Sequence, residues 1–368
     1  MPRKIRVLFV VPNLSGGGAE RVVVTLLRHF NRQHIEPILM VTELKGPYVT
    51  ALPPDIPVID LQVSRVRYAL PKMVSEINRL KPDVVMSTLN YMNMALLSVK
   101  PFLKSNPKLI VREANTPTKA MQFHSPLKKK IFTRLYQWQY PQADAIITQS
   151  DGMRNDLLSF LPQLSPHKVV RIYNPLDVDK VIQDANTHNP FQKETSRQII
   201  AAGRLTYQKG FDLLLHAFQK VVKACEDVQL QIMGEGPLRE DLANLAISLG
   251  VGERVTFRGF QTNPYPYMKH ADLFILSSRW EGFPNILLEA LACGRPVVAM
   301  ECPSGPQEIL AKNKYGLLIP DGDVERLADG IIAVLNGEHR FMSGEERARM
   351  FEAKVITEEY EKVFMTLS

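Results

Sequence analysis

Short runs of Val, Ile, Leu and Phe recur along the chain, separated by longer stretches in which apolar and polar positions alternate with helical spacing. In the first half the runs cover residues 5–11, 37–41, 58–61, 84–87, 109–111, 145–148 and 169–172. In the second they cover 198–202, 229–233, 255–257, 273–276, 297–299 and 316–319. Continuous apolar runs of this length fit strands buried on both faces, as in parallel sheets sandwiched by helices. The stretches 19–30 and 71–80 carry the helical pattern that such units need between strands, so the whole reads as two successive α/β arrays. Residues 176–193 are polar, contain Pro190 and lack clear periodicity, which predicts a linker between the arrays. Residues 345–364 predict one or two closing helices.

Length agrees with two domains, since 368 residues exceed one typical core. No apolar run approaches the span of a bilayer. The start Met1-Pro-Arg-Lys imitates a signal peptide, but Pro12, Asn13 and glycines break the following run, which reads as a first buried strand. Cys225, Cys293 and Cys302 are odd in number and form no C-x-x-C pair, so a disulfide framework or zinc site is not expected and a reducing cytoplasm fits. The net charge of +7 suggests an acidic partner, yet the usual nucleic-acid signatures are absent. Some of that charge is concentrated in Lys128, Lys129, Lys130 and Arg134, interleaved with Leu127, Ile131, Phe132, Leu135, Tyr136 and Trp138. Two readings stand side by side there: a helix lying on an anionic membrane surface, or a solvated basic face on a core-packed helix.

The segment with the most chemistry runs from Arg279 to Val298. Glu281 and Glu289 bracket a Gly-Phe-Pro turn that opens a helix. Pro284 suits the first helical position, which would leave the N–H groups of Asn285, Ile286 and Leu287 aimed out of the helix end toward an anion. Two acceptor-only carboxylates beside such an end fit a ligand with phosphates and hydroxyls, as in a nucleotide sugar. Arg204 and Lys209 sit on the loop after the first strand of the second array, and a guanidinium and an ammonium suit a diphosphate. Gly16-Gly17-Gly18, between a strand and a helix, permits close backbone approach to a phosphate or an acceptor, or is only a turn. Two Asp-x-Asp pairs, Asp177/Asp179 and Asp321/Asp323, read as turns or helix caps rather than as metal ligands.

Glu281 through Glu289 resembles the E-x7-E motif of family 4 retaining glycosyltransferases, which have the GT-B architecture. Gly203-Arg-Leu-Thr-Tyr-Gln-Lys-Gly210 is similar to their G-R-L-x3-K-G element, Gly234-Glu-Gly-Pro237 to their G-x-G-P turn, and Gly16-Gly-Gly-Ala-Glu20 to their N-terminal glycine loop. Cys302-Pro-Ser-Gly-Pro-Gln-Glu-Ile309 fits the bacterial branch that extends polysaccharide or lipid-linked oligosaccharide chains. The resemblance implies an α/β fold of two Rossmann-like doubly wound domains facing a central cleft. Residues 1–175 would bind the acceptor, with a last helix at about 352–368 packing back on them, and residues 194–351 would bind the nucleotide sugar.

It also implies a hexosyltransferase that needs no cofactor or metal and takes a hexose or N-acetylhexosamine from a UDP-sugar. The acceptor would be a glycan or a polyprenyl-diphosphate-linked sugar, met in the cytoplasm at the inner face of the membrane. Glu281, Arg204 and Lys209 would be catalytic. Gly17, Gly18, Gly234, Asn285, Ile286, Leu287 and Glu289 would hold the donor, Glu289 through its ribose. Many family members carry a histidine just after the strand at 109–111. Here that place reads Arg112-Glu113-Ala-Asn115, and the nearest histidine is His124. Arg112, Glu113 and Asn115 would orient sugars, or the charged pair of positions would serve a structural salt bridge. Two other readings share the architecture or the motifs: a UDP-GlcNAc epimerase, and a non-catalytic nucleotide-sugar sensor.

Overall fold

The computed structural model describes residues 3–122, 125–191 and 195–368. His124 and the end of the expected linker, residues 192–193, lie outside them, as does residue 194. The chain forms two compact units, one of residues 1–175 with 353–368 and one of residues 176–352.

The first unit is built on a seven-stranded parallel sheet: β1 (Ile5–Val11), β2 (Ile35–Val41), β3 (Val58–Asp60), β4 (Val84–Thr88), β5 (Lys108–Arg112), β6 (Ala145–Thr148) and β7 (Val169–Arg171), in the order β3-β2-β1-β4-β5-β6-β7. The apolar runs predicted each of these strands to within two residues at either end. Both faces are buried, which is why the runs are continuous rather than alternating. Within β1 the pleat sends Val7, Phe9 and Val11 into one core and Leu8 and Val10 into the other. The first core takes Val23 and Leu26 of helix Gly18–His29 together with Ile356, Tyr360 and Phe364 of the C-terminal helix Ala353–Leu367. Phe9, Phe30 and Phe364 pack ring against ring at 5.4–6.3 Å between centroids, which fastens the end of the chain to the central strand. The second core takes Met73 and Ile77 of helix Val66–Leu80, Leu96 of helix Asn90–Val99 and Tyr136 of helix Pro126–Gln139. Helix Val66–Leu80 starts five residues before the expected 71, so Pro71 sits inside it. With no N–H on Pro71, the Arg67 carbonyl has no helical donor at that point.

The second unit carries a six-stranded parallel sheet: β8 (Arg197–Ala202), β9 (Val228–Met233), β10 (Val255–Gly259), β11 (Leu273–Leu276), β12 (Val297–Met300) and β13 (Leu317–Ile319). Their order, β10-β9-β8-β11-β12-β13, is that of a Rossmann sheet, and the direction of winding reverses between β8 and β11. Its core joins Ile199 and Leu230 of the sheet to Leu214 and Phe218 of helix Phe211–Ala224 and Ile331 of helix Val324–Leu335.

The stretch expected to be a linker is mostly part of this unit. Val178–Ala185 is a helix whose Asp177 caps it by accepting the Lys180 N–H at 3.2 Å. Val178, Val181 and Ala185 are buried, a spacing of three and four residues hidden in a polar context. The closing region is two helices, Gly344–Arg349 and Ala353–Leu367, and they fall in different units.

Candidate active site

Open α/β sheets bind ligands at the carboxyl ends of strands where the winding reverses. In the second unit that place lies between β8 and β11, and both loops leaving it carry chemistry. From β11 the chain runs Ser277-Ser278-Arg279-Trp280-Glu281, and from β8 it runs Gly203 to Gly210. Lys209 Nζ lies 2.5 Å from Glu281 Oε1, with side-chain exposures of 19% and 7%. The Ser278 hydroxyl donates to the same oxygen at 2.6 Å.

The two loops are stapled together. Arg279 N–H donates to the Gln208 carbonyl at 2.8 Å, the Gln208 amide to the Trp280 carbonyl at 3.0 Å, and the Ser277 hydroxyl to the Lys209 carbonyl at 2.9 Å. The Arg279 guanidinium forms a fork on Asp212 at 2.8 and 2.5 Å and lies 3.9 Å from the centre of the Tyr207 ring. Burial opposes the charge on Asp212, but the Arg279 bonds prevail and hold its carboxyl below the usual range. Gly210 has a left-handed backbone (φ +61°), and a Cβ there would overlap the carbonyl oxygen of Ser277. That overlap is the physical reason for glycine after Lys209.

Arg204, on the same loop, is exposed. Gly234 (φ +132°) brings the turn after β9 against this loop, where a Cβ would overlap the Gly203 carbonyl, and Leu205 N–H donates to Glu235 O at 2.8 Å. Beside the turn is an open cavity of about 520 Å³, lined by Gly234, Glu235, Gly236, Arg239, Phe257, Arg258 and Gly259. Arg239 stacks 4.1 Å from the centre of the Phe257 ring. Neither arginine belongs to a spacing pattern, so the sequence carried no signal for them. Ser278 is part of no motif either, although its place three residues before Glu281 is within reach of that carboxylate.

Helix Asn285–Ala292 differs in detail from expectation. Pro284 is its cap, with φ −75° and ψ 95°, and not its first turn. The Pro284 carbonyl accepts the Leu287 N–H at 3.0 Å, so Leu287 is not aimed out of the helix end. Glu289, one turn inside, is 1% exposed. Its charge adds to the burial that pushes the neighbouring Cys293 thiol up to about 12. The loop after β12 closes on Glu281 from another side, with the Ser304 hydroxyl donating to the Glu281 carbonyl at 3.2 Å. Asp177 and Asp323 cap helices. Among the described residues no three His, Cys, Asp or Glu side chains gather as metal ligands would.

In the first unit, Gly17 caps helix Gly18–His29, and a Cβ on it would overlap the Glu20 carboxylate. Arg112 and Glu113, expected to orient sugars or to serve a structural salt bridge, are 1% and 2% exposed. The Arg112 guanidinium donates to Tyr360 Oη (3.1 Å), Thr88 Oγ1 (3.1 Å) and Asn174 Oδ1 (2.5 Å), which ties β4, the end of the unit's main segment and the C-terminal helix into one network. Glu113 accepts the Tyr140 hydroxyl, and its backbone carbonyl accepts the Gln149 amide. Burial pushes the Glu113 carboxyl up to about 7, against hydrogen bonds from Tyr140 and Asn93. Both side chains are committed to the interior, so the geometry gives them a structural role. Asn115 is half-buried and its side chain accepts the Thr116 N–H at 2.9 Å, closing a local turn.

Helix Pro126–Gln139 splits the aromatic residues that had been grouped. Tyr136 is buried and stacks on Tyr140 at 4.4 Å, so it faces the core. Leu127, Ile131 and Trp138 are 69%, 49% and 64% exposed. At steps of four and seven residues they share one outward stripe with Arg134. Lys128, Lys129 and Lys130 are exposed around it. No helix among the described residues is long and apolar enough to cross a membrane.

Two Rossmann-like units, one with a lysine–glutamate pair at its switch point, give the α/β fold class to which GT-B glycosyltransferases belong. Comparison with known proteins agrees. Residues 16–180 match the family described as Glycosyltransferase Family 4, and residues 183–354 match Glycosyl transferases group 1. An uncharacterized glycosyltransferase of Methanocaldococcus jannaschii is 30% identical over 332 residues, covering 78% of this chain and 80% of that protein. The N-acetylgalactosamine-N,N'-diacetylbacillosaminyl-diphospho-undecaprenol 4-alpha-N-acetylgalactosaminyltransferase of Campylobacter jejuni is 29% identical, covering 89% of each chain. The crystal structure of Anabaena HepE in complex with UDP-glucose superposes with a TM-score of 0.80 at 17% identity, covering 98% of this chain and 100% of that one, a likeness of fold. The chain belongs to the family 4 glycosyltransferases and is a transferase.

Proposed function

We propose that this glycosyltransferase moves a hexose or N-acetylhexosamine from a UDP-sugar to a lipid-linked glycan, with retention of anomeric configuration and without a metal ion. The observation that carries the reading is the enclosed Lys209–Glu281 pair at the β8/β11 switch point. Lys209 and Arg204 supply the positive charge on the departing diphosphate that a divalent ion supplies in other transferases. Glu281 accepts hydroxyls of the donor sugar and Glu289 those of the ribose, while Gly234, Asn285 and Ile286 border the donor. Gly17 and Gly18 belong to the glycine loop that this family closes on donor and acceptor. In the transfer the bond from the anomeric carbon to the diphosphate oxygen breaks, and the bond to the acceptor oxygen forms on the same face. The acceptor proton passes to the departing phosphate oxygen, so no side-chain base is needed.

The lipid-linked acceptor is supported by the Campylobacter relative, whose name includes diphospho-undecaprenol. The outward stripe of Leu127, Ile131, Arg134 and Trp138, with Lys128, Lys129 and Lys130 around it, supports attachment to the anionic inner face of the cell membrane. Incubation with UDP-Gal, UDP-GalNAc, UDP-Glc, UDP-GlcNAc and GDP-Man, with and without polyprenyl-diphosphate-linked acceptors, tests the reaction through released nucleotide diphosphate and product stereochemistry. Release that depends on acceptor, an axial product from an axial donor and full activity in EDTA are expected. Glu281→Ala and Lys209→Ala should each lose about a hundredfold or more in rate. Inversion, or activity abolished by EDTA and restored by metal, would overturn the reading.

A further inference from the structure

We propose that Ser278 is a positioning residue for Glu281, keeping that carboxylate in place when Lys209 turns to a diphosphate; this rests on the transfer reading above. Glu281 Oε1 accepts from both Lys209 Nζ (2.5 Å) and the Ser278 hydroxyl (2.6 Å). A lysine that neutralises a departing diphosphate gives up part of its hold on the carboxylate, because one ammonium cannot sit at full strength on two anions. The serine hydroxyl has no such competing duty. It is 1% exposed and rises from the end of β11, three residues before its partner.

The residue before it works on the other member of the pair. The Ser277 hydroxyl holds the Lys209 carbonyl at 2.9 Å, and the Ser277 carbonyl abuts Gly210. Adjacent serines therefore fix the backbone of the cation and the side chain of the carboxylate from one rigid strand end. Ser304, on the loop after β12, secures the Glu281 main chain through its carbonyl. Ser278 is thus a neutral donor placed to hold the Glu281 rotamer.

The test compares wild type, Ser278→Ala and Ser278→Thr, using the donor and acceptor that the wild type turns over. It reads kcat, donor KM, UDP affinity by calorimetry and melting temperature. Loss of one short charge-assisted bond predicts a fall of about tenfold in kcat for Ser278→Ala. UDP affinity should stay within about twofold and Ser278→Thr, which keeps the hydroxyl, within about threefold of wild-type kcat. A merely structural serine would lower UDP affinity and melting temperature along with kcat, and that outcome overturns the proposal. So does a Ser278→Ala enzyme with wild-type kcat. If Ser278→Ala does not fold, Ser278→Cys, with similar volume and a weaker donor, is read the same way. The wild-type arm separates the two ideas: no turnover with any nucleotide sugar fails the transfer reading, whereas turnover that Ser278→Ala leaves untouched fails Ser278 alone.

Discussion

Glu113→Gln should remove one pH-dependent contribution to the stability of the first unit. Glu113 is 2% exposed, and its carboxyl is raised from 4.5 to about 7, chiefly by burial. Tyr140 and Asn93 pull it down, as does Arg112, while the charge of Asp156 pushes it up. Because the folded value lies above the unfolded one, the native state holds the proton more tightly. The stabilisation is complete below pH 4.5 and is lost as the pH rises through 7. Between pH 5 and 8 the linkage amounts to roughly 2 to 3 kcal/mol. Glutamine keeps an oxygen for the Tyr140 hydroxyl and carries no charge, so the variant should lack that slope and exceed wild type at pH 8. Hydrogen exchange of first-unit peptides during urea unfolding reports the first unit separately, which matters where a two-unit protein need not unfold in one step. Equal slopes in the two proteins from pH 5 to 8 would refute the argument, as would a variant less stable than wild type at pH 8.

Changing Lys128, Lys129 and Lys130 to Glu should abolish binding to anionic vesicles while leaving UDP affinity within about twofold, since each cation near such a surface contributes about 1 kcal/mol. Wild-type protein that ignores those vesicles at low salt would remove the membrane part of the reading. The three cysteines are buried, and burial raises the Cys293 thiol to about 12 and the Cys302 thiol well above its usual value. Ellman's reagent at pH 8 should thus label all three only on unfolding, and fast labelling of the native protein would contradict the packing.

The strands were legible because burial on both faces leaves continuous apolar runs whatever surrounds them, so β1, β6 and β11 could be bounded to the residue. Lys209 and Glu281 were singled out through the family motifs they sit in, and the fold brings them together at one end of the second sheet. Three things were decided only in three dimensions. Helix Val178–Ala185 was hidden because its buried stripe has just three members, and only packing in the second unit shows which side is inside. Arg112 and Glu113 could be read from sequence either as sugar-orienting residues or as part of a structural salt bridge. Tyr360, 248 residues away, Asn174 and Tyr140 supply the partners that make their burial tolerable. Ser278 stood in no pattern, since a hydroxyl becomes a positioning group only through the atom it points at. The sequence by itself determined the periodicity, and with it both sheets and the motif loops. Partners distant along the chain decided which polar side chains are interior and which remain for a ligand, because desolvation and hydrogen bonding depend on neighbours that local sequence does not name.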